Sequence, residues 1–159
     1  MNLHFSNQLN YSNEFKHQPM IFLAGPSPRD AEVADWRDEA IEMFREARFN
    51  GTLFIPRPSG GHMDSYDGQV DWELDHLDMA DIILFWVPRD LVTLPAFTTN
   101  IEFGSYVKSD KITYGRPDSS PKNRYLDHLY RKFVNREPFN DLRATVNDAI
   151  DLTRGIYPL

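Results

Sequence analysis

Two acidic side chains stand where this chain passes from turn to helix. Glu102 lies in Thr98-Thr99-Asn100-Ile101-Glu102-Phe103-Gly104, just past the loop that follows the most apolar run in the sequence, Ile82 to Val87. Glu73 lies in Asp71-Trp72-Glu73, at the start of another helical stretch. Two carboxyls that face one pocket from different elements can divide the work of retaining glycosyl transfer, one as nucleophile and the other as acid. Each also has a plainer reading. Thr99 and Glu102, three residues apart, fit a capping box in which the glutamate reaches back to the helix start. Asp71 and Glu73 fit acidic residues that complement the helix dipole in a first turn, although Glu73 lies closer to the apolar stripe.

Other chemistries are poorly provided for. The chain has no cysteine, which removes thiol nucleophiles, thiolate metal sites and disulfides. His62, His76 and His128 show no metal-ligand spacing, and no metal or cofactor is expected. Gly104-Ser105 lacks the nucleophile-elbow pattern. Neither a dinucleotide-binding glycine fingerprint nor a Walker-type phosphate loop is present. The formal net charge of −7 argues against a nucleic acid polymer as partner, while leaving a single nucleoside or nucleotide open.

The elements that must hold these residues follow from the apolar pattern. With 159 residues, 41% hydrophobic and 26% charged, the chain suits one soluble domain over residues 19 to 159. Residues 1 to 18 read as a flexible arm without either regular period, and without the apolar core of a secretory signal. No stretch is long and apolar enough to span a bilayer, so a cytoplasmic protein is expected. Buried strands are expected at Met20 to Ala24, Thr52 to Pro56, Ile82 to Val87 and Lys111 to Tyr114, with a short fifth near Phe133-Val134. Helices are expected at Ala31 to Arg48, Gln69 to Ala80, from Thr99 onward, at Arg124 to Lys132 and at Asp141 to Thr153. In the second of these, Val70, Leu74 and Leu77 should face inward. Alternating strands and helices of this number make an α/β fold with a flavodoxin-like parallel sheet of four to five strands.

In such a sheet, ligands bind outside the carboxyl ends of the strands. Three strand ends then converge: Gly25 to Arg29, with Gly25, Ser27 and Arg29 as candidate contacts; Arg57 to Gly61, with Arg57 and Ser59; and Pro88 to Glu102, with Thr98 and Asn100. Trp36 reads as core rather than as a ligand stack. Arg37 beside it reads as a solvated surface residue, with a phosphate or carboxylate partner as the alternative.

Several motifs in order carry a resemblance. Ile21-Phe22-Leu23-Ala24-Gly25-Pro26, Asp71-Trp72-Glu73 leading to Ala80-Asp81-Ile82-Ile83-Leu84-Phe85, and Ile101-Glu102-Phe103-Gly104 together resemble the nucleoside 2-deoxyribosyltransferase family. Tyr114-Gly115-Arg116-Pro117 and Arg124-Tyr125-Leu126-Asp127 resemble its more divergent branch. The resemblance implies the strand order 2-1-3-4-5 and a homo-oligomer whose neighbouring subunit helps close each site. It also implies cleavage of the N-glycosidic bond of a 2′-deoxynucleoside and passage of the deoxyribosyl group to a free nucleobase. Glu102 takes the place of the family's nucleophile and Glu73 that of its proton donor. Phe22 takes the place of a frequent tyrosine near the nucleophile. Ala96 stands near the place of an aspartate that holds the sugar, with Thr98 and Asn100 as polar substitutes. Two alternatives remain: hydrolysis of a deoxynucleoside monophosphate, favoured by Arg29, Arg37 or Arg116 near the pocket, and a nucleotide-binding module without turnover.

Overall fold

Four apolar runs become the centre of one parallel sheet. The computed structural model describes residues 1–8, 17–60 and 65–157. Strands β1 (Asn2–Phe5), β2 (Met20–Ala24), β3 (Thr52–Ile55), β4 (Ile82–Trp86) and β5 (Ile112–Gly115) pair in the order β1-β3-β2-β4-β5, all parallel. Every residue of β2 to β5 is buried, which is why these strands read as unbroken apolar runs rather than as alternating ones.

The alternation is there nonetheless, split between two cores. Phe22, Ala24, Phe54, Ile83 and Phe85 point to one face of the sheet, where α2 (Tyr66–Met79), α3 (Phe97–Tyr106) and α4 (Arg124–Val134) cover them. Ile21, Leu23, Leu53, Ile55 and Leu84 point to the other, under α1 (Trp36–Glu46) and α5 (Leu142–Ile156). The result is a three-layer, flavodoxin-like α/β fold. Each buried phenylalanine or leucine contributes roughly 1.5–3 kcal/mol relative to exposure, so the sheet is held chiefly by these two faces.

The sheet differs from expectation at its edges. Phe133 and Val134 end α4 instead of forming a strand, and Asn135 closes that helix in the left-handed region at φ 58°. The place beside β5 is taken by a single parallel bridge from Gly115 to Phe139. The fifth strand is β1, drawn from the segment read as a loose arm; it lies along β3 with Asn2 opposite Thr52 and Phe5 opposite Ile55. Four half-buried residues give too short a pattern to announce a strand without the partner they pair with. Residues 9–16 of that arm lie outside the described residues.

Helix boundaries also shift. α1 starts at Trp36, where the Asp35 carboxylate accepts from the Arg37 backbone N–H, so Ala31 to Ala34 precede the helix. α2 starts at Tyr66 behind a Ser65 cap, and Leu74 faces solvent, not the core. α3 opens at Phe97, two residues before Thr99, behind an Ala96 in the left-handed region at φ 60° that makes no side-chain cap. Among the described residues no helix is long and apolar enough to cross a membrane.

Candidate active site

A cavity of about 290 Å³ opens where the strand order turns back between β2 and β4. Its walls come from the loop after β2, the first residue after β3, the start of α2 and the segment from Pro95 into α3. Gly25 lets the β2 loop pass. A Cβ there would stand 2.2 Å from the Trp86 carbonyl oxygen and 2.7 Å from the Trp36 ring, so no other residue fits without moving the loop. Trp36 is core, with its indole N–H donating to the Pro26 carbonyl at 3.1 Å.

Glu73 from α2 and Glu102 from α3 both line this cavity, and both are half-buried. The capping box does not form: Thr99 lies inside the first turn and is 3% exposed, and Glu102 sits a turn further on. Glu73 lies too deep in α2 to serve its first turn; its Oε1 accepts from the Gln69 side-chain amide at 3.0 Å, one turn back. Asp71 is exposed and off the cavity wall.

Burial pushes the Glu102 carboxyl up to about 7, the nearby Glu73 charge adds to that rise, and the Arg37 guanidinium opposes it. Burial also raises Glu73, against the Gln69 amide and the Arg37 charge. The Glu73 charge disfavours ionisation of Glu102, so the two carboxyls do not ionise independently. The site can thus present one carboxylate and one carboxylic acid near neutral pH.

Arg37 is the cation of this site, and it is not solvated. It is 1% exposed. Its Nη2 donates to the Gly25 carbonyl at 2.6 Å, its Nε to the Leu23 carbonyl at 3.1 Å, and its Nη1 pairs with Asp35 at 3.2 Å. The side chain therefore shapes the β2 loop while its charge reaches both carboxyls. The signal was present in the sequence: Arg37 shares a helix face with Ala40, Ile41 and Phe44, where a surface residue has no place.

The expected contacts divide. Gly25, Ser27, Arg29 and Thr98 line the cavity. Phe22 does not; it is fully buried in the core, 6.2 Å from the Trp72 ring. Arg57 turns away to pair with Asp35 at 2.9 Å and with Asp38, bracing the partner of Arg37. Ser59 is exposed, with its backbone N–H donating to Asn7 Oδ1 at 2.9 Å. Asn100 Oδ1 accepts from the Arg89 guanidinium at 2.6 Å. Arg116 pairs with Asp127 at 2.8 Å, away from the wall. Tyr66 and Phe97, 77% and 67% exposed, are cavity residues that the sequence reading left out; both open helices and carry no apolar-stripe signal. Among the described residues no group of three or more His, Asp or Glu side chains could hold a metal ion. His62 lies outside the described residues; His76 stacks on Trp72 at 3.9 Å and His128 is exposed.

Comparison with known proteins agrees with this architecture. The family described as "Nucleoside 2-deoxyribosyltransferase like" matches residues 18–119, well over half the chain. A solved 2-deoxyribosyltransferase of the psychrotolerant bacterium Bacillus psychrosaccharolyticus superposes with a TM-score of 0.54 at 18% identity, over 80% of this chain and 90% of that one. At that identity the likeness is one of fold. No curated protein matches the chain.

Proposed function

The chain belongs to the nucleoside 2-deoxyribosyltransferase-like family, and we propose that it transfers a 2-deoxyribosyl group between nucleobases through a covalent intermediate on Glu102. The observation that supports this most is that Glu73 and Glu102, from two helices, line one cavity, with the buried Arg37 charge acting on both. The Glu102 carboxylate attacks C1′, an ester bond forms there and the N-glycosidic bond breaks. Glu73 gives its proton to the departing base nitrogen. In the second half, the acceptor base attacks C1′, its proton goes to Glu73, and the ester bond breaks to restore Glu102. The cation developing at C1′ favours the charged form of Glu102, and so draws the shared proton toward Glu73.

Water in place of the acceptor gives hydrolysis, and one residue favours a phosphorylated donor. Arg29 lines the cavity with its guanidinium 5.5 Å from the Phe97 ring centre and has no ion pair among the described residues. In this reading the protein works in the cytoplasm as a homo-oligomer. The exposed Phe97 and Ile101 of α3, with Leu91 and Val92 before it, are the surface on which a neighbouring subunit closes the site.

The test is a chromatographic exchange assay with adenine as acceptor and either deoxyinosine or its 5′-monophosphate as donor. Wild-type protein yields the exchanged product, and Glu102→Ala loses it by at least about 10³-fold. Faster turnover of the monophosphate, abolished in Arg29→Ala, selects the nucleotide reading. Neither product nor free base from any donor, or full activity in Glu102→Ala, would contradict the assignment.

A further inference from the structure

A buried guanidinium with no acid beside it stands behind the cavity wall. Arg89, three residues past β4, is 6% exposed, and among the described residues it has no carboxylate partner. An arginine held away from water without a counter-charge is disfavoured unless its donors are all used. Here three of its five N–H groups go to neutral oxygens, one from each nitrogen. Nη1 donates to the Pro95 carbonyl at 2.9 Å, Nη2 to Asn100 Oδ1 at 2.6 Å, and Nε to Asn123 Oδ1 at 3.1 Å. Asn123 and Ser120, before α4, are themselves tied to the end of β4: Ser120 Oγ donates to the Val87 carbonyl at 2.9 Å and accepts from the Arg89 backbone N–H at 2.6 Å.

These bonds converge on the start of α3, whose Ala96 and Thr99 are buried but which has no side-chain cap. Ala96 takes the left-handed region without a glycine's freedom, and no side chain caps the helix. Pro95 and Asn100 bracket that uncapped turn, and both are held by one planar fork. Glu102 lies two residues beyond Asn100 on the same helix. We propose that Arg89 is a positioning residue: it clamps the first turn of α3 to β4 and α4, and so sets where the Glu102 carboxyl stands in the cavity. Asn100 thereby belongs to the scaffold rather than to the substrate. The proposal rests on the reading of Glu102 as nucleophile for its kinetic consequence, but not for its structural one.

The two consequences are measured separately. In the exchange assay, Arg89→Ala lowers kcat about 10- to 100-fold, the loss that a displacement near 1 Å produces, and leaves KM nearly unchanged. Arg89→Lys falls as far, because an ammonium cannot bridge Pro95, Asn100 and Asn123 at once. Added guanidinium ion, at concentrations that leave wild-type activity and folding intact, restores part of kcat to Arg89→Ala. Full kcat in Arg89→Lys, or no rescue by guanidinium, overturns the proposal. Asn100→Ala, which removes one contact and no charge, guards against variants that fail to fold: its melting temperature falls less than that of Arg89→Ala, and its kcat falls. Crystal structures of Arg89→Lys and Asn100→Ala carry the structural arm. α3 shifts relative to β4 in both; α3 unmoved overturns the proposal even if the wild-type protein exchanges no base.

Discussion

The acidity of Glu102 and Glu73 is set by what surrounds them. Because the Glu73 charge helps lift Glu102 to about 7, removing it must lower Glu102. Glu73→Gln therefore moves the acid limb of the kcat/KM profile to lower pH, while the rate itself falls about 10²- to 10⁴-fold for want of the proton donor. Arg37→Met moves the same limb the other way, since the buried charge that opposes the rise is lost. The wild-type profile is bell-shaped, with limbs that belong to the pair rather than to either acid. A profile that does not respond to Glu73→Gln would show that the two carboxyls do not interact. The carboxyls were legible in the sequence because both stand near strand ends in a pattern that only an α/β sheet makes meaningful. The partners of Asn100 and Arg57 could not be read from the sequence for one reason: a polar residue near a site has as much to gain from a buried cation or anion as from a ligand, and the choice is made by neighbours distant in sequence.

At the scale of elements, the four strands β2 to β5 were readable because burial on both faces leaves no alternation to misplace, and half-exposed β1 was not. The start of α3 was not. Its left-handed Ala96 carries no side-chain signature, and Thr99 with Glu102 imitates a cap that the backbone does not use. Gly25 shows how closely the elements approach at the site. Its missing Cβ is what lets the β2 loop pass the Trp86 carbonyl, since a Cβ there would come within 2.2 Å of that oxygen. Gly25→Ala displaces the loop that Arg37 holds, and it lowers stability by roughly 1–3 kcal/mol, the usual cost of overpacking. Thermal unfolding measures the first effect and the exchange assay a further loss of rate; a variant with unchanged melting temperature and activity would refute the tight passage.

The whole molecule places a polar cavity at one edge of a sheet whose two faces are otherwise sealed by apolar side chains. Four of the exposed apolar residues, Phe97, Ile101, Leu91 and Val92, lie on and just before α3. Sedimentation should show an oligomer that Ile101→Glu dissociates with loss of activity; a monomeric wild-type protein with full activity would contradict a shared site. The most direct test of the central claim weighs the intact protein. A deoxyribosyl donor whose 2-position carries fluorine slows the second half of the reaction and lets the ester accumulate. The account predicts a mass gain of one fluorinated sugar unit, mapped by peptide digestion to Glu102 and absent from Glu102→Gln. Release of base without any adduct, or an adduct on another residue, would contradict it.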